Sequence, residues 1–265
     1  MLAMMTKANP RMVYDFDDAV MFHELERGEA MTGKHFTRFC RIAAACRGVV
    51  AGNGYLAEFA VAAREKGAGW QDVITLPTPV DTDAIRPKEY NASDRVVVGW
   101  MGTKGNLPHL TAILPAIRAA FAGHPGAMLR VVSDADPGIT GVPCNFKAWD
   151  AGSEADDLAG FDIGVMPLAD DIWTRGKGGY KLLQYMASGV PAIASPVGIN
   201  RDIIRHGENG LLADDMHGWT DALGRLMCDA ALRERLGRAG RETVEKDYSL
   251  GEYNRKLLGF LERFL

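Results

Sequence analysis

Short apolar or β-rich runs alternate with longer amphipathic stretches along most of the chain. The runs are MVYDF (12–16), GVVAG (48–52), DVITL (72–76), RVVVGWMG (95–102), MLRVVS (128–133), DIGVMPL (162–168), VPAIAS (190–195) and GLLA (210–213). Helical periodicity marks 35–46, 54–66, 107–122, 180–188, 217–228 and 230–246. A strand that is apolar at every position is buried on both faces, and alternation with helices is how a parallel sheet gains that double cover. The pattern predicts an α/β fold built on parallel sheets. LPTPVDTDAIRPKEY (76–90) breaks the rhythm with three prolines and several turn formers. It predicts a boundary between a short α/β unit and a longer one.

Two glycine-punctuated segments carry candidate chemistry. In GKGGYKLLQYMASGVPAIASPVGIN (176–200), Gly178 and Gly179 free the backbone ahead of a helix, and Gly189 with Pro191 ends it. Lys177, Lys181 and Gln184 recur at i, i+4 and i+7, on one side of a helix that begins early enough, and Arg175 adds a cation. Two lysines one turn apart at a helix N-terminus oppose the dipole and each other, the pair costing about 0.2–0.5 kcal/mol. A bound anion would remove both penalties, so the spacing points to an anion site at the carboxyl end of a parallel strand. A solvated basic face is the plain alternative.

The other segment, RVVVGWMGTKGNLPHL (95–110), is a strand, a turn and a helix start. Gly102 permits close approach of a ligand to the backbone, Thr103 offers a hydroxyl, and Asn106 is placed to cap the helix. Neither GxGxxG nor GxxxxGK[ST] occurs, so the dinucleotide and P-loop fingerprints are absent. An ordinary strand-to-helix turn is the alternative here.

Composition narrows the class. Of 265 residues, 47% are hydrophobic and 24% charged, as in soluble globular proteins. A net charge of −4 does not favour nucleic acid or anionic lipid as a partner. No apolar run approaches the roughly 20 residues of a membrane span. MLAMM is too short for a signal-peptide core, and the expected location is cytoplasmic. Cys40, Cys46, Cys144 and Cys228 lack CxxC spacing and read as reduced packing thiols. His23, His35, His109, His124, His206 and His217 show no metal-ligand spacing, and His206 reads as a turn residue. YDFDD (14–18) admits a second reading, as a DxD metal motif or a phosphatase nucleophile loop with Asp15, Asp17 and Asp18 on Mg²⁺. The partner motifs of either do not follow, nor does GxSxG for a serine nucleophile.

The block FDIGVMPLADDIWTRGKGGYKLLQYMASGVPAIASPVGINRDIIRHGENGLLADD (161–215) resembles the nucleotide-sugar-binding core of the retaining GT-B glycosyltransferases of the family 4 group. VVVGWMGTKGNLPHL resembles the first turn of that family's C-terminal domain, and VITLPTPVDTDAIRP its interdomain linker. VYDFDDAVM and GVVAGNGYLAEFA resemble the end of its N-terminal domain. The resemblance implies Rossmann-like parallel sheets of GT-B type: a partial N-terminal, acceptor-side domain (1–80), a C-terminal nucleotide-sugar domain (81–248) and a helix (249–265) crossing back.

Roles follow from that resemblance position by position. Gly102 and Thr103 lie near the donor diphosphate and sugar. The Gly178 and Gly179 amides with Lys181, shared by Lys177, stabilise charge on the leaving nucleoside diphosphate. Gln184 stands where the second glutamate of an E-x7-E motif binds ribose hydroxyls, and Gly176 where the first contacts the sugar. Gly198 and Asn200 match a turn near sugar and phosphate. The resemblance implies no cofactor, because the nucleoside diphosphate sugar is the donor substrate, and no metal, because GT-B enzymes need none bound for catalysis. The acceptor is not indicated.

Only about 80 residues precede the boundary, fewer than the about 100–150 of a typical domain. An uncovered apolar face and open sheet edge are therefore expected, with association into a homo-oligomer or with a partner chain completing the first domain. Leu250, Leu257, Leu258, Leu261 and Leu265 form the expected apolar stripe of the last helix. The expected function is retaining transfer of a sugar to an acceptor. A nucleotide-sugar-binding module or split-enzyme subunit with little activity of its own is the alternative.

Overall fold

The computed structural model describes residues 4, 7–22, 33–65, 72–90 and 95–265. His23 and the last position of the helix expected over 54–66 lie outside them. The described residues form two parallel sheets. The first contains β1 (Val13–Phe16), β2 (Gly48–Ala51) and β3 (Asp72–Thr75) in the order β1-β2-β3. The intervening helices α1 (Lys34–Ala44) and α2 (Gly54–Glu65) cover one face, packing Phe36, Phe39, Leu56 and Ala60 against Phe16 and Val49.

The second sheet has β4 (Val96–Met101), β5 (Ala127–Ser133), β6 (Cys144–Ala148), β7 (Ile163–Met166), β8 (Ala192–Ala194) and β9 (Leu211–Leu212). Their order is β6-β5-β4-β7-β8-β9, every neighbouring pair parallel. Seven helices accompany it: α3 (Leu107–Ala112), α4 (Leu114–Phe121), α5 (Glu154–Ala159), α6 (Tyr180–Ala187), α7 (Asn200–Ile203), α8 (Met216–Cys228) and α9 (Ala230–Asp247); α10 (Leu250–Leu261) follows them. Asp215, Asp229 and Ser249 cap α8, α9 and α10 by accepting from Gly218, Leu232 and Glu252 N–H.

Three local differences from the sequence expectation have physical causes. The helix expected over 107–122 is two helices meeting at Ile113, with a proline in the first turn of each. Pro115 has no N–H to continue a preceding helix, so it starts a new one. The strand β6 (CNFKA) is half polar because it is the sheet's outer strand and buries little. Asn106 does not cap α3 through its side chain; its amide donates instead to Thr103 Oγ1 at 3.0 Å.

The expected bare face on the small sheet is absent. Helix α10 and the turn after it lie on it, placing Tyr253, Leu257, Phe260 and Phe264 against Val50, Val13 and Ile74. Gly48 makes room: a Cβ there would sit 2.7 Å from the Phe264 ring. The stripe differs too, because Leu250, Leu258 and Leu265 are exposed and aromatic side chains do most of the packing.

The segment 76–90 is strapped to the larger unit. Val80 N–H donates to Tyr248 O and Val80 O accepts from Leu250 N–H, both at 3.0 Å. The Arg241 guanidinium donates to Thr82 O, Ile85 O and Ala187 O. Among the described residues no helix is long and apolar enough to cross a membrane.

Candidate functional site

The chain leaves β4 toward β5 and β6, then returns to β7 on the other side of β4. The ladder between β4 and β7 covers only Val98 and Gly99, so the strands part toward their carboxyl ends. Such a reversal point opens a crevice in a parallel sheet. Beyond the ladder, Met101 N–H donates to Tyr185 Oη at 2.9 Å, which ties the β4 turn to α6. Tyr185 is fully buried, and burial pushes its phenol far above the ordinary tyrosine range.

Gly102 follows at once, closely packed. A Cβ there would lie 2.6 Å from the Trp100 indole and 2.9 Å from Lys181 Cε. Gly102, Thr103, Lys181 and Gln184 line one cavity of about 280 Å³ together with Trp149 and Glu154. Asp134 and Tyr180 stand at the same cavity.

Helix α6 begins at Tyr180, as expected over 180–188, and not early enough to include Lys177. Gly179 has φ +68°, and a side chain there would strike Ile203 and Ile199. Lys177 is extended (φ −66°, ψ 138°) and lies outside the helix, so Lys177, Lys181 and Gln184 do not form one helical stripe. The two cations are nevertheless neighbours. Lys181 has its pKa pulled down by burial first and by Lys177 second, against an opposing pull from Asp18.

Sequence reasoning passed over Glu154, which organises the polar wall. Gln184 Nε2 donates to its Oε1 and Trp149 Nε1 to its Oε2, both at 2.7 Å. The Tyr180 phenol is pushed up by burial and then by this carboxylate. The only available signal was an acidic residue starting a short helix, 30 positions from its partner.

The remaining candidate residues lie beside or behind the cavity. Gly178 faces Thr78 and the Asp17 carbonyl across the junction with the small unit. Gly198, at φ +52°, packs against the Arg175 carbonyl and borders a second cavity with Tyr55 and Arg201. Asn200 is buried and donates from Nδ2 to Ser195 O at 3.0 Å, while its buried Oδ1 has no hydrogen-bond partner among the described residues.

The small unit reaches into this region. Asn53 Nδ2 donates to Arg175 O at 3.2 Å and Lys177 O at 3.1 Å, while its Oδ1 accepts from Leu56 N–H. Tyr55 Oη donates to Ile172 O at 3.2 Å. In the YDFDD segment, Asp17 Oδ2 accepts from Thr78 Oγ1, and burial followed by Asp17 raises the Asp15 pKa. Among the described residues no group of three or more His, Cys, Asp or Glu is placed to hold a metal. His206 Nδ1 accepts from Leu212 N–H at 3.0 Å within its turn.

A crevice at the reversal point of a six-stranded parallel sheet, overlain by a smaller parallel sheet, defines an α/β protein of the GT-B type. Residues 96–229, half of the chain, match the family described as Glycosyl transferases group 1, and the chain belongs to that family.

The sulfoquinovosyl transferase SQD2 of Arabidopsis thaliana is 31% identical over 158 residues, covering 56% of this chain and 29% of that protein. A GDP-mannose-dependent phosphatidylinositol monomannoside mannosyltransferase of Mycobacterium tuberculosis is 28% identical over 222 residues, covering 70% and 54%. The chain thus spans about half or less of these relatives' length. Among solved structures, Anabaena HepE in complex with UDP and glucose superposes with a TM-score of 0.75 at 15% identity, covering 98% of this chain and 74% of that one.

Proposed function

We propose that this chain binds a nucleoside diphosphate sugar in the cavity between the β4 turn and α6, and acts in transfer of the sugar to an acceptor with retention at the anomeric carbon. The observation that supports it most is Lys181, a half-buried cation held beside a second lysine on the first turn of a helix. That arrangement is unfavourable until an anion arrives. The UDP and glucose bound by HepE indicate the ligand class.

In this reading the diphosphate lies against Lys181, Lys177 and the first amides of α6, where negative charge grows as the glycosidic bond breaks. Gly102 and Thr103 hold the opposite side. The donor is a substrate rather than a cofactor, and no metal takes part. Donor binding without transfer is the second reading, favoured by the closed approach of Ala19 to Gly176. Among the described residues no strand pairs with the outer edges of β1 and β3, where a second copy or a partner chain would add.

A thermal-shift panel of UDP, GDP and their sugars tests donor binding. At least one should raise the melting temperature equally in Mg²⁺ and in EDTA. No shift with any of them would refute the reading, and a radiolabelled-donor assay separates transfer from binding alone.

A further inference from the structure

Resting on the donor reading above, we propose that Glu154 recognises the ribose of the nucleotide, so that the cavity selects ribonucleotides through a carboxylate supplied from outside α6. Helix position 184 carries a neutral amide, 4% exposed, whose Nε2 is already committed to Glu154 Oε1 at 2.7 Å. Trp149 Nε1–H fixes the other carboxylate oxygen at the same distance. Glu154 is thereby held from two sides in one orientation while it lines the cavity.

Each carboxylate oxygen can accept two hydrogen bonds, and here each has one protein donor. The remaining capacity, one bond per oxygen, matches the two hydroxyls of a vicinal diol. An acidic side chain on ribose hydroxyls is also how parallel α/β sheets commonly hold a nucleotide sugar ring.

The placement along the cavity fits. Gln184 lies three residues past Lys181 on α6, about 4.5 Å along the axis. A ribose is joined to its diphosphate by a single methylene, so a diphosphate at Lys181 brings the diol to the Gln184–Glu154 pair. Trp149, 49% exposed and anchored by the same carboxylate, also lines the cavity, an aromatic surface available to the adjoining base. Ribose recognition and base stacking then depend on one residue.

Affinities of UDP, GDP and their 2′- and 3′-deoxy analogues for the full chain test this, measured by titration calorimetry. The unmodified chain should prefer at least one ribonucleotide over its deoxy analogues by about tenfold to hundredfold, the size of a hydrogen bond to a charged group. Glu154→Gln should shrink that ratio to about threefold or less, with deoxy affinity nearly unchanged. The swapped pair Glu154→Gln with Gln184→Glu should recover part of the ratio. Equal weakening of ribo- and deoxynucleotides would assign Glu154 a purely structural role and overturn the inference, as would an unchanged ratio. Failure of every nucleotide to bind the unmodified chain would instead remove the donor reading itself.

Discussion

Gly176 and Ala19 meet across the junction of the two sheets with no space between them. A Cβ built on Gly176 lies 2.7 Å from the Ala19 Cβ and 3.0 Å from the Ala19 nitrogen. This is the position at which the family resemblance calls for a glutamate. The small unit occupies that place with its own backbone, so the side chain is sterically excluded.

Gly176→Ala should therefore destabilise the chain by about 1–3 kcal/mol, the range for overpacking a tight contact. Ala19→Gly in the same chain should recover part of the loss, because it removes the nearer colliding atom. Denaturant unfolding of both variants measures this. A neutral Gly176→Ala would mean that the two units part easily at this point.

Lys181 gives a pH-dependent prediction. Its folded pKa is lowered, by burial first and Lys177 second, from the ordinary 10.5. A depressed pKa means that the charged form disfavours the fold, and this penalty acts in full below the folded pKa. It is relieved as pH rises through the folded pKa toward 10.5. Lys181→Met should thus stabilise the ligand-free chain at neutral pH, with the gain shrinking as pH approaches 10.5. The same variant should lose about 1.5–3 kcal/mol of nucleoside diphosphate affinity. Unfolding curves at several pH values together with calorimetry check both signs; destabilisation at neutral pH would make Lys181 structural.

Every strand except β6 coincides with an apolar or β-rich run; β2, β4, β7 and β8, buried nearly throughout, leave few polar positions to confuse the pattern. At the sheet's edge that pressure lapses, and CNFKA carries no signal. Gly102, Thr103, Lys181 and Gln184 were legible because glycine punctuation after a strand marks the crevice end of a parallel sheet. Lys177 would share a side with Lys181 and Gln184 only in a helix beginning earlier than 180, and left-handed Gly179 keeps it outside α6. Glu154 and Asn53 were invisible for a different reason. Asn53 bonds the Arg175 carbonyl 122 positions away, and no local pattern encodes a contact at that separation.

Lys88 holds the segment between the units. Its Nζ donates to Phe161 O and, at 2.7 Å, to Asp162 Oδ1, while Asp162 Oδ2 accepts from Val97 N–H. The lysine side chain is only 11% exposed, so solvent screens the pair weakly. Lys88→Met should cost about 1–3 kcal/mol by leaving a half-buried carboxylate with one partner fewer. Asp162→Asn added to it should cost less than the two single changes summed. Strict additivity in that double-mutant cycle would show that the pair is not coupled.

Tyr185 links stability to the site most directly. Parallel pairing would ordinarily give Met101 N–H a carbonyl on β7, but the β4–β7 ladder stops at Gly99 to open the crevice. Tyr185 Oη supplies the missing acceptor from α6, at 2.9 Å and without exposure. Tyr185→Phe keeps the ring and its contact with Gly164 but leaves a buried N–H unsatisfied, which costs about 1–3 kcal/mol. Because Met101 precedes Gly102, the freed backbone should also loosen the β4 turn. We expect weaker UDP or GDP binding in Tyr185→Phe even at temperatures where the variant is fully folded. Unfolding midpoints and calorimetric affinity, measured on the same preparation, separate the two effects. Lost stability with unchanged affinity would show that the turn is held by its other contacts, Gly102 N–H to Val132 O among them.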